Sequence, residues 1–182
     1  IVIATMVGLG LGIMISMYRK SSSTVLGLTN FIYTIPSIAL FGFLIPFSGI
    51  GNTTAIIALS IYALLPMVHN TYTGIIGIDK EIIEAARGMG STTFQILYKI
   101  QIPLAFPVIL SGIRNMVVMT IALTGIAAFI GAGGLGVAIY RGITTNNSAM
   151  TIAGSLLIAL LALLADWGVG RYEKYIKRKR KL

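Results

Sequence analysis

The sequence predicts an all-α protein that crosses a lipid bilayer several times, and three observations support this fold class. Hydrophobic residues make up 56% of the 182 residues and charged residues only 10%, whereas a soluble domain carries roughly 25% charged residues. Five apolar stretches approach or exceed the length of about 20 residues that a helix needs to span a hydrocarbon core. The basic residues also gather in the loops of one side, as is typical of polytopic membrane proteins.

The predicted transmembrane domain covers residues 1–182, with a cytoplasmic loop at 79–103 and a basic cytoplasmic tail at 171–182. Because Ile1 stands within an apolar run and is not a methionine, we expect a further N-terminal piece before it. The five predicted transmembrane helices lie, in chain order, at 1–18, 28–47, 53–70, 104–130 and 149–169.

The charge distribution sets the predicted orientation. Of the 14 lysine and arginine residues, all but Arg141 lie in or near the loops of one side. This bias places the 79–103 loop and the C-terminus in the cytoplasm and the start of the chain outside. The basic tail then fits contact with lipid headgroups better than a nucleic-acid-binding arm.

The composition also argues against catalysis by this chain. There is no cysteine and a single histidine, His69, so a thiolate or multi-histidine metal site is not expected. None of the five acidic residues pairs with that histidine at a useful spacing, and no phosphate-binding P-loop motif occurs. We therefore expect a non-catalytic membrane subunit without a cofactor of its own.

The 79–103 loop has the signals of two short helices. Asp79 is placed to cap the first helix, and Gly90 can adopt the left-handed conformation that ends it. Thr92 and Gln95, three positions apart, form the pattern of a capping box that starts a second helix. Pro103 is predicted to end that helix. The pattern suits either a docking element or an amphipathic loop that lies on the membrane surface.

A sequence motif in this loop favours docking. Glu84-Ala85-Ala86 is followed after three residues by Gly90, and after nine more by Ile100-Gln101-Ile102-Pro103. This spacing resembles the signature of permease subunits of ATP-binding-cassette (ABC) importers, with isoleucine where leucine is usual before the proline. The family's loop docks into a groove of a separate ATPase subunit. The resemblance therefore implies that the ATPase-coupling residues here are Glu84, Ala85, Ala86, Gly88, Gly90, Ile100 and Pro103.

The resemblance to one branch of that family, the quaternary-amine and osmoprotectant permeases, extends along most of the chain. It implies the methionine-importer-like fold of type I importers, in a bacterial plasma membrane. The implied partners are an ABC ATPase subunit that binds the ATP and magnesium, a second permease subunit, and an external substrate-binding protein or domain. His69 departs from the arginine that we expect in relatives. The matching segments are 34–40, 43–46, 62–66, 70–72 and 130–136.

The resemblance implies import of glycine betaine, carnitine or choline. An ABC importer permease for another small substrate, such as methionine or a betaine-like compound, is the main alternative. A passive channel would leave the loop around Glu84 unexplained. A membrane-anchoring subunit would not account for the prolines within the predicted spans or for the glycine-rich turn at Gly131–Gly136.

Two charged residues, Arg114 and Asp166, fall within the predicted spans. Charged groups in the hydrocarbon region are costly, and they usually face a partner or a water-filled cavity. Both lie toward the cytoplasmic ends of their helices. They therefore either form an intramembrane ion pair or reach separately to the interface.

The glycine-rich stretch after the fourth span is predicted to be a tight external turn or re-entrant segment that closes the transport pathway. Its spacing is not that of a nucleotide-binding loop, no strand is predicted before it, and the orientation places it outside. The following residues, 137–143, are too few to cross the bilayer. The predicted gate residues are Gly131, Gly133, Gly134 and Gly136.

Overall fold

The computed structural model describes residues 1–179, and within them helix is the only regular secondary structure. A five-residue π-helical segment, Leu97–Gln101, connects the sixth and seventh helices, and a 3-10 turn, Ala128–Ile130, follows the seventh. The α-helices are α1 (Val2–Met17), α2 (Arg19–Thr34), α3 (Ser37–Ser48), α4 (Asn52–Ile76), α5 (Lys80–Gly88), α6 (Thr93–Ile96), α7 (Ile102–Ala127), α8 (Gly136–Thr144) and α9 (Ser148–Lys179).

Helix α4 is central, because α1, α3 and α7 all pack against it. Glycines in α1 and α7 bring these two helices very close to α4. A Cβ atom built on Gly12 of α1 would lie 2.5 Å from the Cβ of Thr71 in α4, and one on Gly112 of α7 would lie 2.7 Å from that of Asn70. Small residues allow such approach between membrane helices. The large side chains that become fully buried around α4 are those of Ile15, Phe41, Met67, Ile75 and Met116.

Helix α9 packs against α7 and α8 but leaves much of its length open. Gly142 of α8 would place a Cβ only 2.4 Å from the Oγ1 of Thr151, so the two helices touch through a glycine. Leu156, Leu163 and Leu164 are each at least 60% exposed. A long helix with exposed leucines fits a surface that faces lipid.

Three helical segments are long and apolar enough to cross a membrane: Asn52–Ile76, Thr93–Ile130 and Ser148–Ile176. α1 is apolar but shorter, with 16 residues. Taken together, α2 and α3 are also long and apolar enough to cross a membrane, although they are bent by 98° at the break between them. The described residues therefore contain three such spans, or four if the bent pair counts as one.

The structure divides the span predicted at 28–47 into two helices, α2 and α3. The backbone at Ile35 is extended, with ψ 125°, and Pro36 precedes the first turn of α3. Proline disfavours the helical conformation of the residue before it, which explains the position of the break. The hydroxyl of Tyr62 in α4 donates a hydrogen bond to the carbonyl of Ile35, so a neighbouring helix satisfies the exposed backbone.

The predicted tail does not begin at a structural boundary. Helix α9 continues past Arg171 to Lys179, and residues 180–182 of the predicted tail lie outside the described residues. Glu173, within this stretch, is buried against α7. The first part of the tail is therefore the packed end of the last long helix.

Candidate functional site

The 79–103 loop begins with the first predicted helix, α5, and its ends match the prediction. The carboxylate of Asp79 accepts a hydrogen bond of 3.0 Å from the backbone N–H of Glu81. At the other end, the N–H of Ser91 donates to the carbonyl of Ala86 and that of Gly90 to Arg87. This bond pattern is a Schellman motif, which requires a left-handed residue, and Gly90 has φ +84°. Gly90 therefore sets the angle between α5 and the next helix.

The second helix of the loop, α6, also starts as predicted. The N–H of Gln95 donates to the hydroxyl of Thr92 at 3.3 Å, and the side-chain oxygen of Gln95 accepts from the N–H of Thr92 at 2.8 Å. These reciprocal bonds form a capping box. They fix the start of α6 directly after the turn at Gly90.

The prediction that Pro103 ends this second helix is wrong. Pro103 falls in the first turn of α7, directly after a turn that departs from the i−4 hydrogen-bond pattern of the α-helix, which proline would disrupt. Just before it, the N–H of Ile102 donates to the carbonyl of Leu97 five residues earlier, which is the π-helical pattern. The helix thus passes from α6 through Leu97–Gln101 into α7, and the fourth predicted span starts at Thr93 rather than at residue 104. Ile100 belongs to the wide turn and Pro103 follows it.

Most of the motif residues in α5 are open to the surroundings. Glu84, Ala85 and Gly88 are exposed, as is Gly90 in the turn that follows, whereas Ala86 is buried. Ala86 therefore anchors the helix while the other four form an accessible surface.

Apolar side chains extend this exposed surface beyond the motif. Met89 is 79% exposed, and the rings of Phe94 and Tyr98 stack against each other at a centroid distance of 6.5 Å while remaining open. The motif prediction did not include these three residues. For Phe94 and Tyr98 the signal in the sequence was the four-residue spacing of two aromatic residues within the loop. Exposed apolar groups among charged residues are typical of a protein-binding surface.

Of the four predicted gate glycines, Gly131, Gly133 and Gly134 lie in the turn between α7 and α8, and Gly136 is the first residue of α8. Gly131 and Gly134 have φ of +76° and +95°, a region that other residues rarely adopt. The N–H of Gly133 donates to the side-chain oxygen of Asn52 at 3.1 Å, which ties this turn to the start of α4. Gly136 is packed so closely that an added Cβ would lie 2.5 Å from the carbonyl oxygen of Gly125. This turn therefore lies at the end of α4 and α7 opposite to the 79–103 loop.

The structure brings Arg114 and Asp166 together. The guanidinium of Arg114 donates two hydrogen bonds of 2.6 Å to the two carboxylate oxygens of Asp166, which joins α7 to α9. Both side chains are 36% exposed. Bidentate contacts of this kind fix the orientation of both partners.

Glu173, which lies within the predicted 171–182 tail, completes this ion-pair network. One of its oxygens lies 3.6 Å from Nη1 of Arg114, and the other accepts a hydrogen bond of 3.0 Å from the hydroxyl of Ser111. The sequence did carry a signal, because Glu173 stands seven residues after Asp166 and so on the same helix face.

Comparisons with known proteins agree with these features. A family described as the binding-protein-dependent transport system inner membrane component matches residues 4–178. The chain is 43% identical over 184 residues to a glycine betaine/carnitine/choline transport system permease protein of Bacillus subtilis, covering 99% of this chain and 80% of that protein. It is also 43% identical over 166 residues to an ergothioneine transport permease/ergothioneine binding protein of Helicobacter pylori, covering 91% of this chain and 30% of that protein.

A solved structure shares the fold. The chain superimposes on a chain from the inward-facing conformations of the MetNI methionine ABC transporter with a TM-score of 0.78. The alignment covers 96% of this chain and 92% of that chain at 24% sequence identity. At this level of identity the likeness establishes the fold alone.

Proposed function

We propose that this chain, which belongs to the family of binding-protein-dependent transport system inner membrane components, is the permease subunit of an ATP-driven importer of quaternary ammonium osmoprotectants. Glycine betaine, carnitine and choline are the substrates in the name of the B. subtilis relative. Ergothioneine, also a quaternary ammonium zwitterion, is the second candidate, and the H. pylori relative supports it. All of these solutes are small and carry a methylated ammonium group.

The observation that carries the proposed role is the geometry of the 79–103 loop. Two capped helices meet at Gly90 and present Glu84 and Ala85 outward, and the side chains of Met89 and Phe94 in the same loop are exposed as well. In our proposal this surface docks on the ABC ATPase subunit, which binds ATP and magnesium. The continuous helix from α6 into α7 would carry a displacement of the docked loop into the membrane.

For the topology we propose five crossings, formed by α1, the bent pair α2 and α3, α4, the helix from Thr93 to Ile130, and α9. Thirteen of the 14 basic residues then lie on the cytoplasmic side, together with the 79–103 loop and the C-terminus. The turn at Gly131–Gly136 lies outside and forms the external gate. A second permease subunit would supply the other half of the pathway, and an external substrate-binding protein or domain would deliver the solute.

Substrate uptake tests this proposal. The chain would be expressed with its ATPase and binding protein in a strain that lacks other osmoprotectant uptake, with labelled glycine betaine, carnitine, choline and ergothioneine as probes. We expect ATP-dependent uptake of at least one of these solutes. Uptake that stays the same when the permease is omitted would contradict the proposed role.

The variant Gly90→Ala tests whether the loop docks on the ATPase subunit, without removing the permease from the membrane. An alanine at φ +84° costs about 1–2 kcal/mol in the left-handed region, so the angle between α5 and α6 should change. We expect less ATPase to co-purify and uptake to fall. Gly10→Ala, at a helical site with no neighbour within 4 Å, is the matched control and should retain both. Equal ATPase recovery with the two variants would argue against docking through this turn.

A further inference from the structure

An open cavity of about 500 Å³ lies between α2, α4 and α7, within the length of these helices, and several polar side chains stand in its otherwise apolar wall. Its wall includes one asparagine from each helix, Asn30, Asn70 and Asn115, with Tyr33 and His69 beside them. Amide side chains within membrane helices are costly unless they find polar partners or water. Their convergence on one cavity therefore indicates a hydrated site. The volume is within the range of small-molecule binding sites.

The wall between α4 and α7 is held in place by close packing. The side-chain nitrogen of Asn70 donates a hydrogen bond of 2.7 Å to the carbonyl of Pro66. Gly112, three residues before Asn115, lets α7 approach α4 at the position of Asn70. Two of the three amides thus project from helices whose separation is fixed, as a preformed binding site requires.

The charge at the edge of this cavity is compensated. Asp166 of α9 contributes to the lining, but both of its carboxylate oxygens accept hydrogen bonds from Arg114. A bare cation would therefore find its natural counter-ion already occupied. Amide N–H groups can donate to a carboxylate, and the face of an aromatic ring attracts a quaternary ammonium. This combination suits a solute that carries both charges.

We infer that this cavity is a transient binding site for a zwitterionic quaternary amine on its way through the permease. Asn30, Asn70 and Asn115 would bind the carboxylate, and the ring of Tyr33 would contact the methylated ammonium. The inference rests on the proposed transport function. It adds a mechanical connection, because Asn115 belongs to α7, which is continuous with the loop helix α6.

Two substitutions of one residue test the site. Asn115→Leu removes an amide and should raise the KM for glycine betaine uptake about tenfold, which corresponds to about 1.4 kcal/mol. Asn115→Asp adds an anion that Arg114 does not compensate, so uptake should shift about tenfold from glycine betaine toward the cation choline. The control Thr124→Val changes an exposed polar residue of α7 outside the cavity lining. It should leave the KM for glycine betaine and the preference between glycine betaine and choline unchanged.

Tyr33 provides an independent test on another helix, at a side chain that is 57% exposed. Tyr33→Leu should raise the KM for glycine betaine, whereas Tyr33→Phe keeps the ring and should retain the wild-type KM. If the wild-type complex transports glycine betaine while Asn115→Leu, Asn115→Asp and Tyr33→Leu keep its KM and preference, the cavity inference is overturned and the proposed function stands. If the wild-type complex takes up none of glycine betaine, carnitine, choline and ergothioneine, the proposed function fails.

Discussion

Replacing Gly12 by alanine should force α1 away from α4. The added Cβ would lie 2.5 Å from the Cβ and 2.8 Å from the Cγ2 of Thr71, and 3.1 Å from the carbonyl oxygen of Val68. Non-bonded carbon atoms are most favourable at about 3.5–4.0 Å, so the helices must separate by roughly 1 Å. Rotation of Thr71 gives no relief, because its Cβ is itself the closest atom and the residue is completely buried.

The expected cost follows from two opposing contributions. Overpacking of a close contact destabilises by about 1–3 kcal/mol, and exchange of glycine for alanine in a helix returns up to about 1 kcal/mol. We therefore expect Gly12→Ala to lower the free energy of unfolding by about 1–2 kcal/mol. Gly10→Ala lies on the same helix with nothing within 4 Å, so it gains the helix propensity of alanine without any overpacking. Its stability should equal or exceed that of the wild type.

Denaturant or thermal unfolding of the purified chain in detergent measures this difference. For a chain of this length, 1 kcal/mol corresponds to a shift of about 2–4 °C in Tm. Gly12→Ala should unfold several degrees below Gly10→Ala. Equal unfolding temperatures for the two variants would refute the conclusion that direct glycine contact sets the distance between α1 and α4.

The turn and the ion-pair network give two further predictions. Gly136→Ala should impair folding and uptake, because its Cβ would meet the backbone of the preceding helix, whereas Gly133→Ala has open space and should be tolerated in unfolding assays. Asp166→Asn should lower the unfolding temperature, and adding Arg114→Gln should recover part of the loss, since the two side chains share their hydrogen bonds. Asp79→Asn is the isosteric control, because asparagine also caps a helix. If the losses of stability from Asp166→Asn and Arg114→Gln simply add in the double variant, the two residues are not coupled.

The caps of α5 and α6 were predictable because they depend on residues within a few positions of one another. Asp79, Gly90, Thr92 and Gln95 carry their own local signals, and the structure forms the expected bonds. The helical fold class was predictable in the same way, from apolar length and the distribution of charge.

The features that were missed depend on contacts distant in the sequence or on competing effects of proline. Pro46, Pro66 and Pro107 remain inside helices, whereas Pro36 accompanies a sharp break. That break is stabilised by Tyr62, 27 positions after Ile35, which local patterns do not reveal. The cavity with its three asparagines likewise depends on how α2, α4 and α7 pack together.

Cysteine cross-linking tests the central claim, that the 79–103 loop docks on the ATPase, most directly. The sequence contains no cysteine, so a single introduced thiol has no background within this chain. Ala85→Cys places the thiol on the exposed face of α5, and Ile50→Cys places one at a residue that is 76% exposed, just before the opposite end of α4.

In membranes that contain the whole complex, a short bifunctional cross-linker from the thiol to lysine should join the Ala85→Cys chain to the ATPase subunit. The Ile50→Cys chain should give no such product. Cross-linking of the ATPase through position 50 and none through position 85 would contradict the account.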